Sequence, residues 1–309
     1  MTMFIHAINT WVPPMRYSQQ ELLQHFGLAD NEKARRIFNN TKIKFRHFTA
    51  YPSYLLTPQR NPIDLPSLGL IEPDGAPVNL LIEVSNLPEA QFKTPGTPYI
   101  NLNNHWCPGA IDALELATQS QGKVRIVTFD INSLLRWQPD FRDVNDIVSW
   151  ALFGDAIAVA TVDESIGVAT PTIIDFSHHN ETAHLVKYEN GRLSLNRDLP
   201  TAVPQLVERC LTPLFQRYDI TIQDIVHWIV HPAGRKVLDN IEGRFNINLS
   251  NSRVILRNFG NVGASSVFFV LKKIMAEENP QPGDYGVILS FGPGKNSGFV
   301  VAACLLQWQ

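Results

Sequence analysis

The spacing of apolar residues changes several times along this chain, and each change marks an element. Phe4 to Asn9 alternates like a half-buried strand, and Val12-Pro13-Pro14 ends the run. Ser18 with Glu21 carries a capping-box signature ahead of Leu22, Leu23 and Phe26, so a helix starts there. A second helix is predicted from Asn31 to Asn39, with Lys33, Arg35 and Arg36 forming a basic face. Lys42-Ile-Lys-Phe-Arg-His47 alternates cation with apolar residue, which predicts a half-exposed strand and, with Arg36, offers a cradle for a polyanion.

Between Tyr51 and Pro98 the pattern breaks down. Proline at this density rules out long helices, and the one strand predicted is Asn79 to Val84. The rest reads as irregular surface chain laid over the fold. From Pro108 the order becomes regular. A helix to about Ser120 leads to a strand at Val124–Phe129, an acidic turn-containing segment, a helix at Val144–Leu152 and an apolar strand at Ala156–Val162. Residues 167–198 read as strands and turns, with Asn190-Gly191 a hairpin signal. An amphipathic helix (Leu199–Tyr218), a buried strand (Asp224–Val230) and a helix (Arg235–Phe245) follow. Val254-Ile-Leu256 predicts a short strand, Val262–Met275 a helix, and Asp284–Phe291 and Ser297–Leu305 strands turned by Gly292-Pro-Gly294. Strands alternating with helices over the last two thirds predict an α/β layered architecture.

Three loop-to-helix junctions carry the chemistry. The first is Trp106-Cys107-Pro108-Gly109, where proline suits the first position of a helix and Cys107 stands at its mouth. The positive end of the helix dipole there favours thiolate over thiol. The second is Val230-His231-Pro-Ala-Gly234, and the third Phe259-Gly-Asn261-Val-Gly263. Each sets a reactive or hydrogen-bonding side chain beside glycine or proline, where backbone can approach a ligand closely. A thiolate can accept an acyl group, and a His and an Asn can hold a thioester carbonyl and stabilise an enolate. Taken singly, each has a plainer explanation: a core cysteine, a strand end, a helix cap. The echo of strand–Cys107–helix in strand–His231–helix and strand–Asn261–helix suggests two related halves, expected at residues 1–165 and 166–309.

Composition narrows the classes. The 309 residues, 44% hydrophobic and 18% charged with a net charge of −3, describe a chain long enough for one large or two joined cores, with no basic excess to draw nucleic acid. No apolar run reaches the ~20 residues of a membrane span, and the start lacks a signal-peptide pattern. Three widely spaced cysteines argue against a disulfide framework and fit a reducing cytoplasm. Cys210 and Cys304 read as core residues. His178, His179 and His184 lack metal-site spacing and read as surface or loop residues, so no metal is expected.

In this order the motifs resemble the thiolase superfamily, specifically the type III polyketide synthases of the chalcone-synthase branch and the β-ketoacyl-ACP synthase III enzymes. His231-Pro-Ala-Gly and the helix after it resemble the family's His-Pro-Gly-Gly segment, and Phe259-Gly-Asn261 its aromatic-Gly-Asn element. Ser290-Phe-Gly-Pro-Gly294 resembles the C-terminal Gly-Phe-Gly-Pro-Gly loop, Leu152-Phe-Gly-Asp155 the Phe-Gly-Asp-Gly segment, and Cys107-Pro-Gly109 with Ala113-Leu114 the nucleophile segment of synthase III. The resemblance implies a five-layer αβαβα fold of two related halves, the N-terminal one shortened before Cys107, where the family's dimer and tunnel-wall helices normally lie. It implies Cys107 as the acylated nucleophile, with His231 keeping the thiolate ionised and binding the extender's carbonyl together with Asn261. The backbone N–H of Cys107 is implied as an oxyanion donor. Phe153, Phe291, Gly292 and Gly294 would shape the acyl cavity. Lys33 and Arg36 would hold coenzyme A phosphates, while a third basic position falls on uncharged Asn40.

The expected function is decarboxylative condensation to a β-ketoacyl or short polyketide product, from an acyl-CoA or acyl carrier protein thioester and with no other cofactor. Two further readings stand beside it: a thiolase-fold acyltransferase forming an ester or amide without condensation, and a helper subunit of an active homologue. A homodimer, or a heterodimer with a homologue, is the expected assembly.

Overall fold

The structure is a computed structural model that describes residues 2–49, 78–85, 91–93, 96–135, 139–165, 167, 169–182, 185–189, 192–294 and 298–309. Thirteen strands are found among these residues. Nine form one sheet: β1 (Met3–Trp11), β4 (Leu80–Ser85), β5 (Tyr99–Asn103), β6 (Val124–Ile131), β7 (Asp155–Asp163), β8 (Pro171–Glu181), β11 (Ile225–Val230), β12 (Tyr285–Pro293) and β13 (Phe299–Trp308). Their order is β11-β12-β13-β8-β1-β7-β6-β4-β5. Two small ribbons pair β2 (Arg16–Ser18) with β3 (Phe45–His47), and β9 (Val186–Glu189) with β10 (Arg192–Leu195).

The long sheet is two half-sheets joined through β1 and β8, where the pairing is confined to Met3↔Ile173 and Phe4↔Thr172. Reading outward from that seam, β1–β7–β6 are antiparallel and β6–β4–β5 parallel; β8–β13–β12 are antiparallel and β12–β11 parallel. The same topology therefore occurs twice, with β5 as one further edge strand in the N-terminal half.

Alternation along the strands shows the layers. Val301, Ala303 and Leu305 of β13 face one core cluster, and Ala302, Cys304 and Leu306 face another. The first cluster contains α6 (Leu199–Tyr218) and α7 (Arg235–Phe245), which cover the outer face of the C-terminal half. The second contains α3 (Gly109–Thr118) and α9 (Ser265–Glu277), together with Ile126 of β6 and Ala158 and Ala160 of β7. These two helices thus lie between the half-sheets, with their first turns buried on nearly every side. On the far face of the N-terminal half, Val127, Phe129, Ile157 and Val159 cluster with Phe92 and Tyr99. The stretch corresponding to α6, between β1 and β4, holds β2, α1 (Gln19–His25), α2 (Glu32–Asn40), β3 and residues 50–77, which lie outside the described residues.

Most expected elements are present within a residue or two. Ser18 and Glu21 form the capping box of α1, and Asn31 caps α2 through Ala34 N–H at 3.0 Å. The strand predicted at Val254–Leu256 is instead the middle of α8 (Ser250–Phe259). Ser252, Ile255 and Leu256 are buried there at helical spacing, and Arg253 turns to Asp239 and Glu242 on α7. The helix predicted from Val262 begins at Ser265, residues 261–264 forming its approach. The helix α5 (Val144–Leu152) follows α4 (Asn132–Leu135) and leads into the Leu152–Asp155 motif. Asn190, Gly191 and His184 lie outside the described residues, although β9 and β10 on either side of the first two pair antiparallel.

Candidate active site

The chain approaches Cys107 under constraint. Asn104 and Trp106 both take left-handed backbone (φ 62° and 52°), which non-glycine residues adopt at a cost. Pro108 occupies the N-cap of α3, one position earlier than expected, and its carbonyl accepts from Ile111 N–H at 2.8 Å. A Cβ on Gly109 would come within 2.6 Å of Val84 Cγ1, so glycine lets the start of α3 press against β4. Two side chains fix the junction: His105 Nδ1 meets Asp112 Oδ2 at 2.6 Å, and Ser290 Oγ donates to the Cys107 carbonyl at 2.8 Å.

Ser290 begins the last part of β12, and Gly292, two residues on, lies against the thiol. A Cβ there would be 3.7 Å from Cys107 Sγ and 3.3 Å from Pro108 Cδ. Any larger side chain would take the space beside the sulfur. Phe291 points to the cavity as well, its ring edge-on to His231 at 5.6 Å between centroids.

His231 ends β11, its backbone N–H donating to Leu289 O at 2.8 Å. Its ring is almost wholly buried, and Nδ1 has no hydrogen-bond partner among the described residues. Asn261 follows from two glycines. Gly154 and Gly260 lie where the segments Leu152–Gly154 and Phe259–Asn261 run side by side, bridged at Phe153↔Asn261. A Cβ on Gly154 would be 2.4 Å from Phe259 O, and one on Gly260 would be 2.6 Å from Leu152 O. Each glycine of the two motifs exists to admit the other segment's carbonyl. Arg46 is buried beside both and donates to Phe153 O at 3.1 Å, which ties down the C-terminal end of α5.

The turn after Asn261 is completed by a residue the sequence reading passed over. Asp130, at the end of β6, accepts from Ala264 N–H (3.2 Å) through Oδ1 and from Ser265 N–H (2.8 Å) and Oγ (2.7 Å) through Oδ2. Gly263 N–H donates to Asn261 Oδ1 at 3.0 Å, and Val262 N–H to Ser266 Oγ at 3.2 Å. The unpaired N–H groups at the entrance to α9 are thereby satisfied. Because Oδ1 of Asn261 is engaged with its own turn, its Nδ2 is the group left to act as a donor; the only contact described for it is a long one, 3.5 Å, to Ala233 O. Asp130 did not stand out locally, because its strand also carries Arg125 and Thr128 among its apolar residues.

Cys107, His231 and Asn261 line one pocket, with Asp130 and Asn132 beside them. Its empty volume, counted to the mouth with the solvent there, is about 820 Å³. Of the other residues expected to shape it, Phe153, Phe291 and Gly292 line the cavity. Gly294 does not; it receives the turn, its N–H donating to Gly298 O at 2.8 Å. Lys33 and Arg36 are exposed on α2 and do not line the cavity either. Their helix does reach toward the His231 loop, since Arg235 Nε donates to Asn40 O at 2.9 Å.

Burial governs the ionisation of this site. Cys107 keeps some accessible surface toward the cavity, yet the protein packed around it, and then the charge of Asp130, push its thiol well above the usual range. Burial lowers His231 to about 3. Burial thus works against the thiolate that the helix mouth is expected to favour, and against the protonated imidazole. Asp130 is raised to about 7, chiefly by burial and against the pull of its Ser265 and Ala264 hydrogen bonds.

Residues 166–305 match the chalcone and stilbene synthases C-terminal domain. The 3,5-dihydroxyphenylacetyl-CoA synthase of Streptomyces toyocaensis is 26% identical over 357 residues, spanning 98% of this chain and 90% of that one. Its counterpart in Amycolatopsis orientalis is 25% identical, spanning 98% and 92%. Both alignments exceed the 309 residues of this chain, so the relatives carry insertions relative to it. The crystal structure of PKS-I from the brown algae Ectocarpus siliculosus superposes with a TM-score of 0.78 at 18% identity, spanning 99% of this chain and 98% of that one, and shows the fold to be shared. Two half-sheets around central helices, with a Cys, a His and an Asn meeting from three junctions, are the arrangement of a thiolase-like fold. The chain is similar to type III polyketide synthases over nearly its whole length and shares their fold.

Proposed function

We propose that this protein is a condensing acyltransferase that loads an acyl group on Cys107 and extends it by decarboxylative condensation. The observation that carries this is the convergence of Cys107, His231 and Asn261, from three separate junctions, on one largely apolar pocket. In the loading step the Cys107 sulfur attacks the donor's thioester carbonyl while His231 takes the thiol proton; the donor's C–S bond breaks and the proton passes to the departing thiolate. A resting neutral imidazole is the form suited to this work. The protonated ring would be no base.

In the second half a malonyl thioester enters, and its carbonyl accepts from His231 and from Asn261 Nδ2. Loss of carbon dioxide leaves an enolate whose oxygen those two donors stabilise. The enolate carbon attacks the acyl–Cys107 carbonyl, a carbon–carbon bond forms, and the cysteine sulfur leaves. An acyl-CoA is the donor we favour, given the CoA-linked names of the relatives; Lys33 and Arg36, on the helix that touches Arg235, would meet its phosphates. A carrier-protein donor, a dimeric assembly and a cytoplasmic setting, which the three free thiols suit, belong to the same proposal.

Incubation with acyl-CoA followed by intact mass measurement tests the loading step. An acyl adduct is expected, and Cys107→Ala should abolish it. Adducts that pass to an alcohol or amine but never release carbon dioxide from malonyl-CoA would favour simple acyl transfer. Failure to load from any CoA or carrier-linked donor would favour a helper role.

A further inference from the structure

The lining of the pocket also bears on which acyl group it takes, and this rests on the condensing function proposed above. Its polar side chains gather about the triad, and most of their hydrogen-bonding capacity is turned inward. Both oxygens of Asp130 serve Ala264 and Ser265, Asn132 Nδ2 donates to Gly154 O at 2.7 Å, and Asn261 Oδ1 accepts from Gly263 N–H. Much of the remaining wall comes from the β9–β10 ribbon and the helices beside it. Alternation turns Val186, Leu193 and Leu195 inward and leaves Arg192 and Ser194 exposed. The register sets Leu195 across from Val186 and Leu193 across from Tyr188. Leu199 and Val203 from the start of α6 and Val237 from α7 join them in one apolar cluster. These six aliphatic side chains offer a substrate neither donor nor acceptor.

We propose that the group loaded on Cys107 is an aliphatic acyl chain of medium length without polar substituents, and that the β9–β10 ribbon gauges its length. Each methylene buried against this wall should speed loading about fourfold until the cavity is full. A terminal hydroxyl set against these six side chains finds no partner among them and should cost up to about a hundredfold. Tyr188, the cross-strand partner of Leu193, meets Trp106 edge to face at 4.4 Å on the same lining.

The test is a series of CoA thioesters, from acetyl to dodecanoyl, with benzoyl and 8-hydroxyoctanoyl added, scored by the rate at which intact mass shows acylated Cys107. Rates should climb with chain length to an optimum beyond butanoyl, with octanoyl ahead of both benzoyl and 8-hydroxyoctanoyl. Leu193→Phe should move the optimum to shorter chains and Leu193→Ala to longer ones; Leu195→Phe and Leu195→Ala serve as a second pair if either variant melts early. Equal or faster loading of acetyl, benzoyl or the hydroxylated chain would overturn the proposal, as would an optimum that ignores both pairs. Absence of any adduct from every donor would overturn the condensing function instead, and this inference with it.

Discussion

At the scale of single residues, the site is governed by desolvation. Cys107 and His231 are each held neutral by the protein packed around them, although a helix mouth by itself would favour the thiolate. Alkylation of Cys107 by iodoacetamide should therefore be slow at pH 7 and climb steadily to pH 9. A rate already high and flat from pH 6 to 8 would instead mark a standing thiolate–imidazolium pair. The linkage to stability has opposite signs for two groups. His231, lowered to about 3, contributes stability that is full above ~6.5 and lost as pH falls toward 3. Asp130, raised to about 7, contributes stability that is full below ~3.8 and lost as pH rises through 7. In Asp130→Asn, denaturant unfolding should lose its downward slope between pH 4 and 7. An unchanged slope would mean that Asp130 is not the titrating group. The variant should also be less stable by about 1–2 kcal/mol below pH 4, because one N–H of the α9 entrance then faces an amide N–H.

Elements are where sequence and structure agree most and where their differences teach most. Period and punctuation give the strands and helices because the core faces are simple: β13 alternates between two clusters, and α1 announces itself through Ser18 and Glu21. Val254-Ile-Leu256 misled because three consecutive apolar residues fit either period; only the packing of α8 against its neighbours decides. Cys107, His231 and Asn261 were legible as junctions, since glycine and proline mark where backbone must turn or be approached. Asp130 was not. A carboxylate that caps a helix about 130 residues later leaves no local pattern. The paired glycines give a prediction at this scale. Gly154→Ala and Gly260→Ala should each destabilise by about 3 kcal/mol or more, the second also forcing alanine into a positive φ of 76°. Both separate the same two segments, so the double variant should lose clearly less than the sum. Additive losses in denaturant titrations would show that the contacts are independent.

For the whole molecule, the two half-sheets are joined by one strand pair through only two residue pairs, yet one apolar cluster runs through both of them by way of α3 and α9. Thermal or denaturant unfolding should accordingly show one cooperative transition by fluorescence and by circular dichroism. Two resolved transitions would mean that the halves fold separately. This shared middle layer also builds the site. Cys107 stands at the entrance of α3 and Asn261 at the entrance of α9, while His231 and Gly292 come from neighbouring strands of the C-terminal half. The expected strand–junction–helix rhythm holds at Cys107 and His231, whereas Asn261 follows the helix α8 and not a strand. The size and chemistry of the cavity between the junctions, set by side chains far apart in the chain, could be read only from the fold.

The central claim is that these junctions form one condensing centre in which loading and extension use different parts of the triad. Single-turnover addition of malonyl-CoA to enzyme already acylated on Cys107 tests it most directly, with carbon dioxide and the two-carbon-longer β-keto product followed together. The wild-type protein should release both in equal amounts. Asn261→Ala should still carry the acyl group but lose about 100-fold or more in both signals. Undiminished condensation by Asn261→Ala, or product formed by Cys107→Ala, would contradict the account.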